Sequence, residues 1–224
     1  MGHWIPLSTA RGDIRAWQAT PVSAPKGAVI VVQEIFGANA HIRDIAERLA
    51  DAGFVALAPA MFDLVEPAVE LDYDEAGMAR GRKLAAELGF DAAVDILSAA
   101  NHMFNERSLD CAIVGFCWGG SVALLGNTRL GLPAVSYYGA RSIPFLDEPL
   151  QAPMLLHFGE KDDLIPLADI HRHRAAYPQA EIHMYEGAGH AFNRDSQPNA
   201  PHYEPQAAAL AWRRTLDFLQ TTLT

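Results

Sequence analysis

A thiol, a pair of adjacent carboxylates and an imidazole each follow a short apolar run in this chain. Cys117 lies in Gly115-Phe116-Cys117-Trp118-Gly119-Gly120, Asp162 and Asp163 follow Gly159-Glu160-Lys161, and His190 lies in Gly187-Ala188-Gly189-His190-Ala191-Phe192. Small residues crowd the cysteine and the histidine, as needed where neighbouring backbone passes close to a presented side chain. A thiol is a poor nucleophile until ionised, and an imidazole within hydrogen-bond reach both takes its proton and stabilises the thiolate. A buried carboxylate behind the ring fixes the tautomer, and spacing alone does not choose between Asp162 and Asp163. A further carboxylate, Glu34, ends another apolar run. Placed near Cys117, it opposes ionisation through like-charge repulsion and so implies a gated thiolate. The backbone N–H of Trp118 and that of Ile35 are the donors expected at a developing oxyanion. The chemistry is acyl transfer: attack of a thiolate on a carbonyl, then release of the acyl group by water.

Bringing these groups together requires their loops to share one edge of a sheet. The apolar runs Ala28 to Gln33, Phe54 to Ala58, Cys111 to Phe116, Ala134 to Tyr138, Pro153 to Phe158 and Glu181 to Tyr185 read as strands. Between them the spacing predicts helices over 41–51, 78–88, 91–103 and 167–177, with a last one over 206–220. Gly89-Phe90 separates the second from the third, and Asp91 is a candidate cap. Alternation of this kind predicts an α/β class, a mostly parallel, doubly wound sheet flanked by helices, built as one domain over 1–224. Loops at the carboxyl ends of such strands converge. Residues 3–7 and 13–19 suggest an edge hairpin, and the acidic stretch Ala60 to Gly77 reads equally as a pocket wall or a solvated loop. The order nucleophile, acid, histidine is that of the α/β-hydrolase fold, here with a minimal lid.

Composition narrows the partners. A formal charge of -10 disfavours nucleic-acid backbones, although a site can be locally basic inside an acidic chain. No apolar run approaches the roughly 20 residues of a membrane span. With two cysteines six residues apart there is no disulfide framework, which points to a reducing, cytoplasmic setting. His171 and His173 do not share a helical face, so neither a metal nor another cofactor is indicated. His41, His102, His157, His183 and His202 read as structural or surface residues.

Five segments in order, Gln33-Glu34-Ile35-Phe36-Gly37, the Cys117 turn, Tyr137-Tyr138-Gly139, Gly159-Glu160-Lys161-Asp162 and Gly189-His190-Ala191-Phe192 with Arg194, closely resemble those of the dienelactone hydrolase (carboxymethylenebutenolidase) family. The resemblance implies a small α/β-hydrolase with Cys117 as nucleophile, His190 as base and Asp162 as the orienting acid. It implies that Glu34 contacts the resting thiol and is displaced by substrate. Arg194 is implied to hold a substrate carboxylate, with Arg80, or else Arg82, as a second arginine, and Phe36, Tyr137 and Ala191 as pocket residues. The expected substrate is a small anionic lactone or ester, and the expected state is a monomer. A broader esterase or thioesterase acting on neutral substrates, and a redox-sensing protein on the same scaffold, are the alternative readings.

Overall fold

The structure is a computed structural model that describes residues 2–195 and 202–223. Among the described residues, eight strands form one sheet: β1 (His3–Thr9), β2 (Gly12–Ala19), β3 (Ala28–Val32), β4 (Val55–Pro59), β5 (Cys111–Phe116), β6 (Ala134–Tyr137), β7 (Met154–Gly159) and β8 (Glu181–Tyr185). Their order across the sheet is β1-β2-β4-β3-β5-β6-β7-β8. β1 and β2 form the expected hairpin, β2 lies antiparallel to β4, and every other neighbouring pair is parallel. This is the mostly parallel, helix-flanked architecture of the α/β-hydrolase fold.

Chemistry follows from that order. The chain steps from β3 outward to β4, then returns past β3 to lay down β5 on its other side. The loops leaving β3 and β5 therefore diverge, and the crevice between them is the switch point at which open α/β sheets bind ligands. β3, β4, β5 and β7 are buried along their whole length, which is why they read as unbroken apolar runs rather than as alternation.

The helices are α1 (Ala40–Asp51), α2 (Glu75–Asn105), α3 (Trp118–Leu130), α4 (Leu167–Ala176) and α5 (Pro205–Thr222). Asn39 caps α1 by accepting the Ile42 N–H, and the helix buries Ile42, Ile45, Ala46 and Leu49 against the sheet. Each of the isoleucine and leucine side chains contributes about 1.5–3 kcal/mol through burial. The helices expected over 78–88 and 91–103 form a single element interrupted at Gly89, whose φ of 73° and ψ of 164° are non-helical. Asp91 does not cap the second half. Its carboxylate instead accepts from Arg129 Nη1 at 2.9 Å, while Asp74 caps the start of the element. The acidic stretch after β4 is partly ion-paired: three of its six carboxylates, those of Asp63, Glu66 and Glu70, bind arginines. It opens with a 3₁₀ turn over Met61–Leu64 and bridges Gly37 through Glu70. Asp63 and Glu70 bind Arg15 and Arg43. Among the described residues no helix is long and apolar enough to cross a membrane.

Candidate active site

Cys117 occupies the single residue between β5 and α3, with φ 55° and ψ -116°. A left-handed φ on a non-glycine residue costs of the order of 1–3 kcal/mol and persists only where surrounding structure enforces it. Enforcement is visible in the glycines. A Cβ on Gly115 would come within 1.9 Å of the Gly119 carbonyl oxygen, one on Gly119 within 2.5 Å of the Val32 and Gln33 oxygens, and one on Gly120 within 2.8 Å of the Tyr137 oxygen. The start of α3 thus presses onto the ends of β3 and β6, and the Cys117 N–H is tied to the Tyr137 carbonyl at 3.0 Å.

The histidine loop comes from the end of β8. His190 Nδ1–H donates to Asp162 Oδ2 at 2.8 Å, and the other oxygen of this buried carboxylate accepts the Leu164 N–H at 2.9 Å. Asp163 is exposed and takes no part in the bond, so the geometry separates two neighbours that spacing did not. His190 Nε2 makes no well-aligned hydrogen bond, but it lies close enough to Cys117 for the sulfur to govern its affinity for a proton. Burial pulls the imidazole's pKa down; the Cys117 charge and the hydrogen bond to Asp162 more than offset this, and the pKa is pushed up to about 10. The other cysteine differs. Cys111, at the opposite end of β5, is buried in apolar surroundings that push its thiol well above the ordinary range.

Glu34 is 1% exposed, and its Oε2 has no hydrogen-bond partner. The structure does not bond it to the thiol, as the resemblance implied; its neighbour is Arg194, whose Nη1 lies 3.6 Å away. Arg194 is nearly buried, and its guanidinium sits 3.9 Å over the Tyr73 ring, which in turn packs edge-on against Phe36 at 4.6 Å. A buried guanidinium stacked on an aromatic ring retains its fork of donors for a planar anion.

These groups face one cavity of about 590 Å³, whose lining includes Glu34, Ile35, Phe36, Cys117, Trp118, His190, Ala191 and Arg194. Two expected pocket residues are displaced. Arg80 points away and pairs with Glu66, whereas Arg82 lines the cavity. Tyr137 turns toward α5, where its hydroxyl meets Thr215 Oγ1 at 2.7 Å; Tyr138 instead packs its ring 5.0 Å from that of His190. The sequence reading also missed Tyr73 and His202, both in the lining, and the surroundings of His41. That imidazole is buried with neither nitrogen bonded, and burial lowers its pKa despite the nearby Glu34 charge. Trp118 packs between Phe62 and Phe90 and closes one side of the site. No group of three or more metal-ligating side chains occurs among the described residues.

The model of the dienelactone hydrolase family matches residues 14–223. A carboxymethylenebutenolidase of Pseudomonas putida is 33% identical over 211 residues, covering 89% of this chain and 88% of that protein. A Bradyrhizobium protein named "Probable 2-oxo-3-(5-oxofuran-2-ylidene)propanoate lactonase" is 33% identical over 242 residues, 97% of this chain and 93% of its own. The crystal structure of a Klebsiella pneumoniae protein assigned to the dienelactone hydrolases superposes with a TM-score of 0.85 at 29% identity, covering 97% of each chain. With a match over nearly its whole length, the chain belongs to the dienelactone hydrolase family and is a hydrolase.

Proposed function

We propose that the protein opens a small anionic lactone or ester through a thioester on Cys117. The observation that carries this reading is that His190, braced by Asp162 at 2.8 Å, and a cysteine held at a strained turn line the same cavity as Arg194. Arg194 receives the substrate carboxylate, which draws the guanidinium's charge away from Glu34. The scissile carbonyl then lies between the N–H groups of Ile35 and Trp118, the latter one of the unbonded donors of the first turn of α3. His190 takes the thiol proton and the sulfur attacks the carbonyl carbon. As the ring oxygen leaves, it takes that proton back from the imidazolium.

Deacylation exploits the origin of the histidine's high proton affinity. The Cys117 charge is the leading influence raising the His190 pKa, and burial opposes it. Once the sulfur is acylated that charge is gone, and burial returns the imidazole toward its neutral, basic form at the step where it must deprotonate water. Water attacks the thioester carbonyl, the C–S bond breaks, and the proton passes through His190 to the departing sulfur. The names of the Pseudomonas and Bradyrhizobium relatives, a carboxymethylene butenolide and a furanylidene propanoate, place a carboxylate beside a lactone ring and support the substrate class.

Pre-steady-state hydrolysis of a dienelactone and of an activated aryl ester, with intact-mass detection of the acyl adduct, tests the reading. The wild type is expected to show a burst and an adduct on Cys117, and Cys117→Ala to lose at least about 10⁴-fold in kcat with an unchanged fold. Full turnover by the alanine variant, or an adduct on another residue, overturns it.

A further inference from the structure

The cavity is charged against the grain of the chain. The sequence carries 27 acidic residues against 17 lysines and arginines. The cavity lining reverses that balance, with Arg82, Arg141, Lys161 and Arg194 against Glu34 and Asp163. Among the described residues, cations without an ion pair also occur elsewhere, as at Lys83, Arg174 and Arg213, but Arg82, Arg141 and Lys161 make none and share one concavity. A locally positive concavity in an acidic molecule marks a place where an anion is supplied from outside.

The cavity's cations also stand on two sides of the sulfur. Arg82 follows Gly81, which packs so tightly on the loop after β3 that an added Cβ would lie 2.1 Å from the Ile35 carbonyl oxygen. Arg141 follows β6, its N–H bonded to Ser121 Oγ at 3.0 Å, and Lys161 follows β7, its N–H bonded to the Ala188 carbonyl at 2.8 Å. β3 and β6 flank β5, whose end bears Cys117. The end loops of β3 and β7 lie three strand spacings apart, about 14 Å. On the β3 side stand Arg82 and Arg194 with Glu34; on the β6–β7 side stand Arg141 and Lys161 with Asp163. Each wall therefore holds two cations and one carboxylate, and Cys117 lies between them.

We infer that the substrate carries two anionic groups, one on each side of the scissile carbonyl, and that Arg141 and Lys161 are specificity-determining residues for the second. The inference rests on the hydrolytic reading above and refines its substrate class: an ester or lactone bearing a carboxylate on both its acyl and its alkoxy portion. Arg194 takes the carboxylate on the alkoxy portion, where the names of the relatives put it, so the second anion belongs on the acyl portion. A neutral acyl portion leaves Arg141 and Lys161 solvated, whereas an anionic one gains charge-assisted hydrogen bonds from them.

A matched set of aryl esters tests this: phenyl crotonate without charge, monophenyl fumarate charged on the acyl side, 3-carboxyphenyl crotonate charged on the leaving side, and 3-carboxyphenyl fumarate charged on both. Wild-type kcat/KM is expected to be highest for the doubly charged ester, by about tenfold over either singly charged one, with the advantage shrinking as salt is raised. The double variant Arg141→Ala with Lys161→Ala should lose about tenfold more on the doubly charged ester than on 3-carboxyphenyl crotonate, and Arg141→Glu should widen that difference. Equal losses on all four esters, or no gain from the second charge in the wild type, overturn the inference while leaving the hydrolase reading intact. Absence of any turnover or acylation by the wild type overturns both.

Discussion

His157, on β7, and His190, on the loop that leaves β8, are pushed in opposite directions. His190 lies at the open edge, where the Cys117 charge and the Asp162 carboxylate raise its pKa to about 10 against the pull of burial. His157, on β7, is wholly buried, and burial, aided by His183 and Arg214, drops its pKa well below the usual imidazole range. Its bonds are to neutral groups. Arg214 can only donate, and does so to the Tyr185 hydroxyl oxygen at 3.1 Å; that hydroxyl's proton is then free for His157 Nδ1 at 2.8 Å, leaving Nε2–H to donate to Thr215 Oγ1 at 3.1 Å. Every polar atom of the ring has a partner. At His190, by contrast, Nε2 is left without an aligned one. The difference teaches that the partners, more than depth, decide whether a buried imidazole holds a proton or a fold together.

The sharpest way to break this comparison is to alter the brace of the first histidine. Asp162→Asn keeps an oxygen for the Leu164 N–H but turns an amide toward His190 Nδ1, favouring the tautomer that points a proton at the sulfur. The expected cost is roughly 10³–10⁴ in kcat. Stability should fall by about 1.5–3 kcal/mol, the worth of a hydrogen bond to a charged group. Steady-state kinetics corrected by thiol titration, alongside urea unfolding, separate the two. Wild-type turnover in this variant would mean that the carboxylate is structural, as the partners of His157 are.

How much of this was legible beforehand depends on how local each constraint is. The Cys117 turn was readable because glycines are forced at fixed offsets, where an added Cβ would come within 1.9 to 2.8 Å of nearby backbone. That the site loops share one edge of the sheet followed from the alternation of strands and helices. Facing was harder. Residues 80 and 82 differ by about 200° around a helix, so only one of them can look into the cavity, and no periodicity in a helix start rich in charge said which. Tyr137 and Tyr138 straddle the end of β6, where successive side chains take opposite faces and Tyr138 leaves the strand with φ 42°. The expected contact of Glu34 with the thiol depended on Arg194, which is distant in sequence and lies 3.6 Å away only after folding. Likewise, nothing in the helical spacing of α1 announced that His41 would be buried without a bond.

A smaller effect, and one of opposite kind, is expected at the second histidine. His157→Leu removes two hydrogen bonds from a network that joins β7, β8 and α5, leaving Tyr185 and Thr215 each with one partner fewer. Loss of part of a buried network costs about 2–3 kcal/mol. Activity per folded molecule should stay within about twofold, because no atom of His157 lines the cavity. Urea unfolding and kcat measured on the same preparation check both halves. A variant of wild-type stability with impaired turnover would reverse the roles assigned to the two rings.

The mildest test leaves the chain intact and changes only pH. His41, His157 and His173 all have pKa values lowered by burial, so below about 6.5 the unfolded chain takes up protons on them that the native state refuses. Stability should therefore fall as pH drops through that region, by at most about 1.4 kcal/mol per pH unit for each group. His190 has the opposite sign. Its pKa is raised, so the stability it contributes is fully present below about 6.5 and is lost as pH rises toward about 10; it adds nothing to the acid limb. Urea midpoints measured between pH 7.5 and 5 should accordingly show a slope that His157→Leu flattens and His190→Gln leaves alone. Flattening by the His190 variant would show that its proton affinity in the folded state is as low as that of His157, and that the sulfur and the carboxylate do not outweigh burial at the open edge of the sheet.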